Sequence, residues 1–133
     1  MSKSEDNHIE LALTPEETEK RVMQMKTDPA RKLRSDPGNP DICNVYTMHK
    51  IYSKPDEIEM VNRECRIAGI GCVECKKLFA KNLNENLAEF RAKRAEIAKD
   101  TDKVYDILVE GGKRAREIAN VTMQEVREAV GLP

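Results

Sequence analysis

Four cysteines, spaced Cys43-x21-Cys65-x6-Cys72-x2-Cys75, constrain this chain more than any other feature of it. Local signals put each one at a helix end. Ser53, Pro55 and Asp56 start a helix over about Asp56 to Ala68, so Cys65 falls near its end. Gly69-Ile70-Gly71 ends that helix and reverses the chain, and Cys72 opens the next. Cys72 and Cys75, three apart on a helix, share a face with Cβ atoms roughly 5–6 Å apart. The positive helix end there favours their thiolate forms. Cys43, on a short helix over Asp41 to Tyr52, can close the set. A fold that satisfies this spacing brings three helical segments to one corner.

Four thiolates at one corner suit either a structural zinc or a four-iron, four-sulfur cluster. Zinc sites more often come as two closely spaced pairs. Here one near pair, one cysteine at mid range and one distant cysteine fit better around a larger inorganic cube, with zinc as the alternative. Cysteines acting only as small buried hydrophobes would not gather at helix ends. Met1 to Glu10 contain no hydrophobic segment of signal-peptide type, which places the chain in the cytoplasm. Thiols stay reduced there, so metal ligation is favoured over two disulfides.

The rest of the pattern is helical. Thr14-Pro15-Glu16-Glu17 forms a capping box with proline at the first helical position, and predicts a helix to about Lys26. Thr27 to Pro40, with Pro29, Pro37, Gly38 and Pro40 around Arg31, Lys32 and Arg34, reads as a linker. From Cys72 to about Lys99, Leu78 or Phe79, Leu83, Leu87, Phe90 and Ile97 recur at helical steps. Asp100-Thr101-Asp102 caps another helix carrying Val104, Leu108, Ala115 and Ile118. Gly111-Gly112 weakens its middle by roughly 1 kcal/mol per glycine, which predicts a bend. Thr122 with Glu125 predicts a second capping box and a separate terminal helix ending near Val130 and Gly131. No segment alternates with period two. The expected fold is therefore an all-α helical bundle stapled by the four-cysteine site, with segments 1–13, 14–40 and 41–133.

Composition narrows the partners. The chain has 133 residues, enough for one ordinary domain. With 35% charged residues and a mean hydropathy of -0.67, it offers no span of the roughly 18 apolar residues a bilayer crossing needs. The formal net charge is -1, so an anionic partner must meet a local basic face. Aromatic residues are only 4%, too few for a surface built from stacked bases.

Met1-Ser2-Lys3-Ser4 matches the last four positions of Lys-Met-Ser-Lys-Ser, the signature loop of class I aminoacyl-tRNA synthetases. Asn7-His8-Ile9, Thr27-Asp28-Pro29, Asp36-Pro37-Gly38-Asn39-Pro40 and the run from Gly111 to Ala119 follow in the order seen in bacterial tryptophanyl-tRNA synthetases. Cys43 to Cys75 resembles the subgroup carrying a four-iron cluster, and Cys65-x6-Cys72-x2-Cys75 also resembles the cluster loop of the endonuclease III glycosylases. The chain thus resembles the C-terminal part of such a synthetase. The resemblance implies that Met1, Ser2, Lys3 and Ser4 belong to an ATP site in the intact enzyme, with Lys3 stabilising charge on the phosphates. It further implies tRNA(Trp), tryptophan, ATP and Mg as partners there and a homodimer through the catalytic half. The present piece would be monomeric and inactive, because the His-Ile-Gly-His motif and its Rossmann-type domain are missing.

The helical C-terminal domain of that family contacts the anticodon end of the tRNA, and the sequence supplies cations for it. Arg63 and Arg66 flank Cys65, and Lys76 and Lys77 follow Cys75, so all four are candidate tRNA contacts beside the cysteines. Lys113, Arg114 and Arg116 read instead as solvated helix charges. His8 and His49 show no partner in the sequence and carry no assigned role. The resemblance points to RNA and not DNA. The competing classes are a stand-alone metal-stapled RNA-binding module and an iron–sulfur electron carrier.

Overall fold

The computed structural model describes residues 8–133, so the signature-loop residues Met1, Ser2, Lys3 and Ser4 lie outside the described residues. The helices are α1 (Pro15–Gln24), α2 (Asn44–Tyr52), α3 (Pro55–Arg66), α4 (Cys72–Ile97) and α5 (Thr101–Val130), with a single 3₁₀ turn at Pro40–Ile42. Among the described residues there is no strand, as the periodicity predicts. None of the helices there is long and apolar enough to cross a membrane. The chain divides into two compact units, one ending at Arg91 and one running from Ala92 to Pro133.

The first unit holds the core. The Thr14 side chain accepts from the Glu17 N–H at 3.2 Å while the Glu17 carboxylate accepts from the Thr14 N–H at 2.9 Å, the expected reciprocal cap of α1. Val22 from α1, Val45 and Tyr46 from α2, Val61 from α3, and Phe79, Leu83 and Leu87 from α4 are buried together. Leu83 and Leu87, four apart, stack with Phe79 along one stripe of α4, which is how a single helix serves as the spine of this unit. Arg91 locks its far end. Its guanidinium donates to the buried Thr18 hydroxyl at 2.7 Å, to Asn84 Oδ1 at 2.7 Å and to the Leu11 carbonyl at 3.2 Å.

Residues 27–39 contain no helix, as expected, yet they are not a slack linker. Asp28 is buried, and its carboxylate accepts from the Ala30 and Asn39 N–H groups, each at 2.8 Å. One side chain so clamps the two ends of the segment, which we call the strap. Those backbone donors, Asn39 first, hold the Asp28 carboxyl below its ordinary value of 3.8. A folded-state pKa below the unfolded one contributes stability above the unfolded value, and that contribution is lost as pH falls through the folded value. Acid unfolding below about pH 4 is therefore expected to include release of the strap. Asp28→Asn, compared with the parent in urea midpoints between about pH 6 and pH 3, should be less stable at neutral pH and show a shallower acid loss. Parallel curves would remove Asp28 from the account.

The second unit departs from expectation. The α5 helix runs unbroken through Gly111, Gly112 and Thr122, with no separate terminal helix. Thr122 can cap only if its own backbone leaves the helical region, and the helix arriving from Thr101 continues through it into Met123, Gln124 and Glu125. The start and stop signals do work. The Asp100 side chain accepts from the Lys103 N–H at 2.9 Å, and Gly131, at φ 70°, ends the helix in the left-handed region.

Candidate metal centre

The four cysteines lie at the ends of α2, α3 and α4 in the first unit, near enough for the other three to act on the Cys75 thiol. Cys43 is the residue just before α2, Cys65 lies in the last turn of α3, Cys72 is the first residue of α4 and Cys75 is one turn further on. The reversal between α3 and α4 is hydrogen-bonded: the Gly69 N–H donates to the Glu64 carbonyl at 2.7 Å and the Ala68 N–H to the Cys65 carbonyl at 3.3 Å. The left-handed residue of that turn is Ala68, at φ 57°, and not a glycine. A Cβ at Gly69 would meet the Glu64 carboxylate at 2.0 Å, so any larger residue there must displace that side chain.

The thiols sense one another. Burial first, then the charges of Cys43, Cys65 and Cys72, push the Cys75 thiol up to about 12. Cys65 is also raised by burial, opposed by Arg31 and reinforced by Cys43 and Cys72. For Cys75, burial and its neighbours thus outweigh the favourable helix terminus that the sequence suggested. All four are free thiols. Among the described residues, no group of three or more His, Cys, Asp and Glu side chains is arranged as it stands to hold a metal ion.

The strap supplies what sequence reasoning missed. Arg31 reaches over the corner, with Nη1 at 3.8 Å from the Cys72 sulfur and 4.0 Å from the Cys65 sulfur. Its Nη2 donates to the Ile70 carbonyl at 2.8 Å and the Arg34 carbonyl at 3.0 Å. Arg34 donates to the Ala68 and Gly69 carbonyls and pairs with Glu74 at 3.3 Å. The basic run that read as loop decoration therefore pins the α3–α4 reversal. The signal was the Arg31-x2-Arg34 spacing, but its targets are backbone carbonyls, which no sequence pattern marks. Strap and corner touch again at Gly38. Its N–H donates to the Cys65 carbonyl at 2.9 Å, and a Cβ at Gly38 would stand 2.7 Å from the Cys65 sulfur. Gly38→Ala is expected to displace that sulfur while leaving helix content unchanged; equal reactivity of Cys65 toward a thiol reagent in both proteins would contradict it.

The four expected tRNA contacts are placed differently from one another. Arg63 pairs with Glu64 at 2.9 Å. Arg66 pairs with Asp41 at 2.7 Å and donates to Asn62 at 2.9 Å. Lys76 is turned inward and donates to the Met23 carbonyl at 2.7 Å, tying α4 to the end of α1. Lys77 is exposed. Beside Cys72 lies a cavity of about 490 Å³ lined by Arg31, Lys32, Arg34 and Glu74 among others. The cationic wall next to the cysteines is thus supplied by the strap.

Residues 1–88 match the family of tRNA synthetases class I (W and Y). The chain belongs to that class I synthetase family. It is 42% identical to the tryptophan–tRNA ligase of Aquifex aeolicus over 134 residues, covering 100% of this chain and 34% of that protein. It is 44% identical to the tryptophan–tRNA ligase of Thermotoga maritima, covering 99% of this chain and 40% of that one. The crystal structure of tryptophanyl-tRNA synthetase from Campylobacter jejuni superposes with a TM-score of 0.82 at 26% identity, covering 99% of this chain and 42% of the other. The chain so spans well under half the length of these synthetases.

Proposed function

We propose that this chain is the tRNA-binding C-terminal part of a tryptophan–tRNA ligase, and that Cys43, Cys65, Cys72 and Cys75 hold a four-iron, four-sulfur cluster. One observation carries the reading: Cys43, Cys65 and Cys72 all act on the Cys75 thiol, and the Arg31 guanidinium reaches two of these sulfurs, in a chain matched end to end by tryptophan–tRNA ligases. The donor set suits the group. Four thiolates around an iron–sulfur cube leave excess negative charge, and a partly buried corner with an arginine aimed at two of the sulfurs offsets it. Bound there, the cluster would supply four iron–thiolate bonds that staple α2, α3 and α4. The chain's own part is to aim the sulfurs, by the α3–α4 reversal and the strap, and to close the side chains inward.

The second half of the reading concerns tRNA. Lys32 and Arg34 of the strap, with Arg63 and Lys77 on the helices, present cations around the cysteine corner, and such groups favour phosphate and unstacked loop bases. The whole enzyme would charge tRNA(Trp) with tryptophan at the expense of ATP and Mg, as a cytoplasmic homodimer. The His-Ile-Gly-His motif is not among these 133 residues, so this chain is expected to bind tRNA without charging it.

Anaerobic metal and sulfide analysis with an absorption spectrum tests the cluster. Four irons, four sulfides and absorption at roughly 400 nm are expected; a colourless protein holding zinc in stoichiometric amount would overturn it. Titration with tRNA(Trp) at several salt concentrations tests the surface. Lys32→Ala with Lys77→Ala should weaken binding and flatten its salt dependence, whereas unchanged affinity at every salt would remove these residues. Lys76 is a poor probe because its loss also cuts a tie to α1.

A further inference from the structure

A line of polar side chains leads from the cysteine corner into the core. His49 is fully buried, between α2 and α4, with its ring edge-on to Phe79 at 5.4 Å. Its Nδ1 lies 2.6 Å from the Ser53 hydroxyl, and its Nε2 lies 3.2 Å from the Cys75 carbonyl and 3.5 Å from the Cys75 sulfur. Asn82, also buried, has its amide nitrogen 2.9 Å from that same hydroxyl and 2.6 Å from the Glu57 carboxylate. Ser53, which by sequence caps α3, is thus drawn into this line instead.

The protons along it are fixed by elimination. A carboxylate only accepts, so Asn82 must face Glu57 with its NH₂ and not its oxygen. The second amide hydrogen then goes to the Ser53 oxygen, and Ser53 spends its own hydrogen on His49 Nδ1. The Cys75 carbonyl only accepts, so in the neutral ring the proton sits on Nε2, shared between that carbonyl at 3.2 Å and the Cys75 sulfur at 3.5 Å.

We propose that His49 is a positioning residue for the Cys75 sulfur, giving it an N–H···S hydrogen bond whose direction is set by Glu57 through Asn82 and Ser53. This rests on the cluster reading above. A hydrogen bond to a ligating thiolate withdraws charge from it and favours the more reduced, more negative state of a bound cluster.

Two measurements test it. In the metal-free protein, nitrogen NMR of His49 should report the Nε2-protonated tautomer, and Ser53→Ala should abolish the single-tautomer signature. A proton on Nδ1 in the parent overturns the proposal whatever happens to metal. In the reconstituted protein, His49→Phe should shift the cluster potential downward, while His49→Gln, which keeps an N–H, should recover part of the shift. A parent that loads four irons, with equal potentials in parent and His49→Phe, overturns the inference and leaves the cluster reading intact. A parent that takes up no iron overturns both.

Discussion

Phe79→Ala is expected to cost about 3–5 kcal/mol, the usual range for emptying a buried phenylalanine site. Few side chains here have comparable leverage. Phe79 is fully buried on α4, stacks edge-on against His49 and tilts against Tyr52 at 6.3 Å, so its loss opens a void among α2, α4 and the polar line through His49. A unit with so few fully buried side chains cannot collapse into that void, and domains of this size have only about 5–15 kcal/mol in hand. The midpoint of urea unfolding, followed by far-ultraviolet circular dichroism, should fall steeply. Ile67→Ala, at a side chain 66% exposed, should shift it by no more than about 0.5 kcal/mol. Similar midpoints for the two variants would mean that Phe79 is not the keystone of this core.

The largest chemical effect is expected from the cysteines. Under the proposed reading, Cys65→Ser or Cys72→Ser should reduce iron from four per chain to near zero and abolish the absorption at roughly 400 nm. The reason is that a serine hydroxyl is a far harder and more weakly ionising ligand than a thiol. Because metal binding to a site absent from the unfolded chain adds directly to folding stability, the reconstituted parent should melt well above its metal-free form, and these variants should not. Retention of a full cluster in both would move the site elsewhere. Cys75 gives an internal comparison, since its burial makes it the thiol with the largest cost of ionisation before metal arrives.

Helix content and helix ends were legible because they depend on local chemistry. The Thr14 and Asp100 caps, the start of α4 at Cys72 and the stop at Gly131 are each fixed by neighbours within four residues. The approach of Cys65 to Cys72 followed from the same logic, since a reversal of a few residues leaves little freedom for where those two can go. Thr122 misled because a capping pattern permits a helix start without imposing one: the helix already running through it had no reason to stop.

By itself, then, the sequence determined the all-helical class, the turn that brings Cys65 and Cys72 together and the synthetase family. Only the tertiary structure decided what surrounds that corner. Arg31 and Arg34 act on carbonyls far along the chain, Lys76 turns inward to α1, and His49 meets Cys75 and Phe79 of α4. The physical reason is range: caps and periodicity are set by near neighbours, whereas a buried donor or cation takes whatever acceptor the packing of distant segments leaves within about 3 Å.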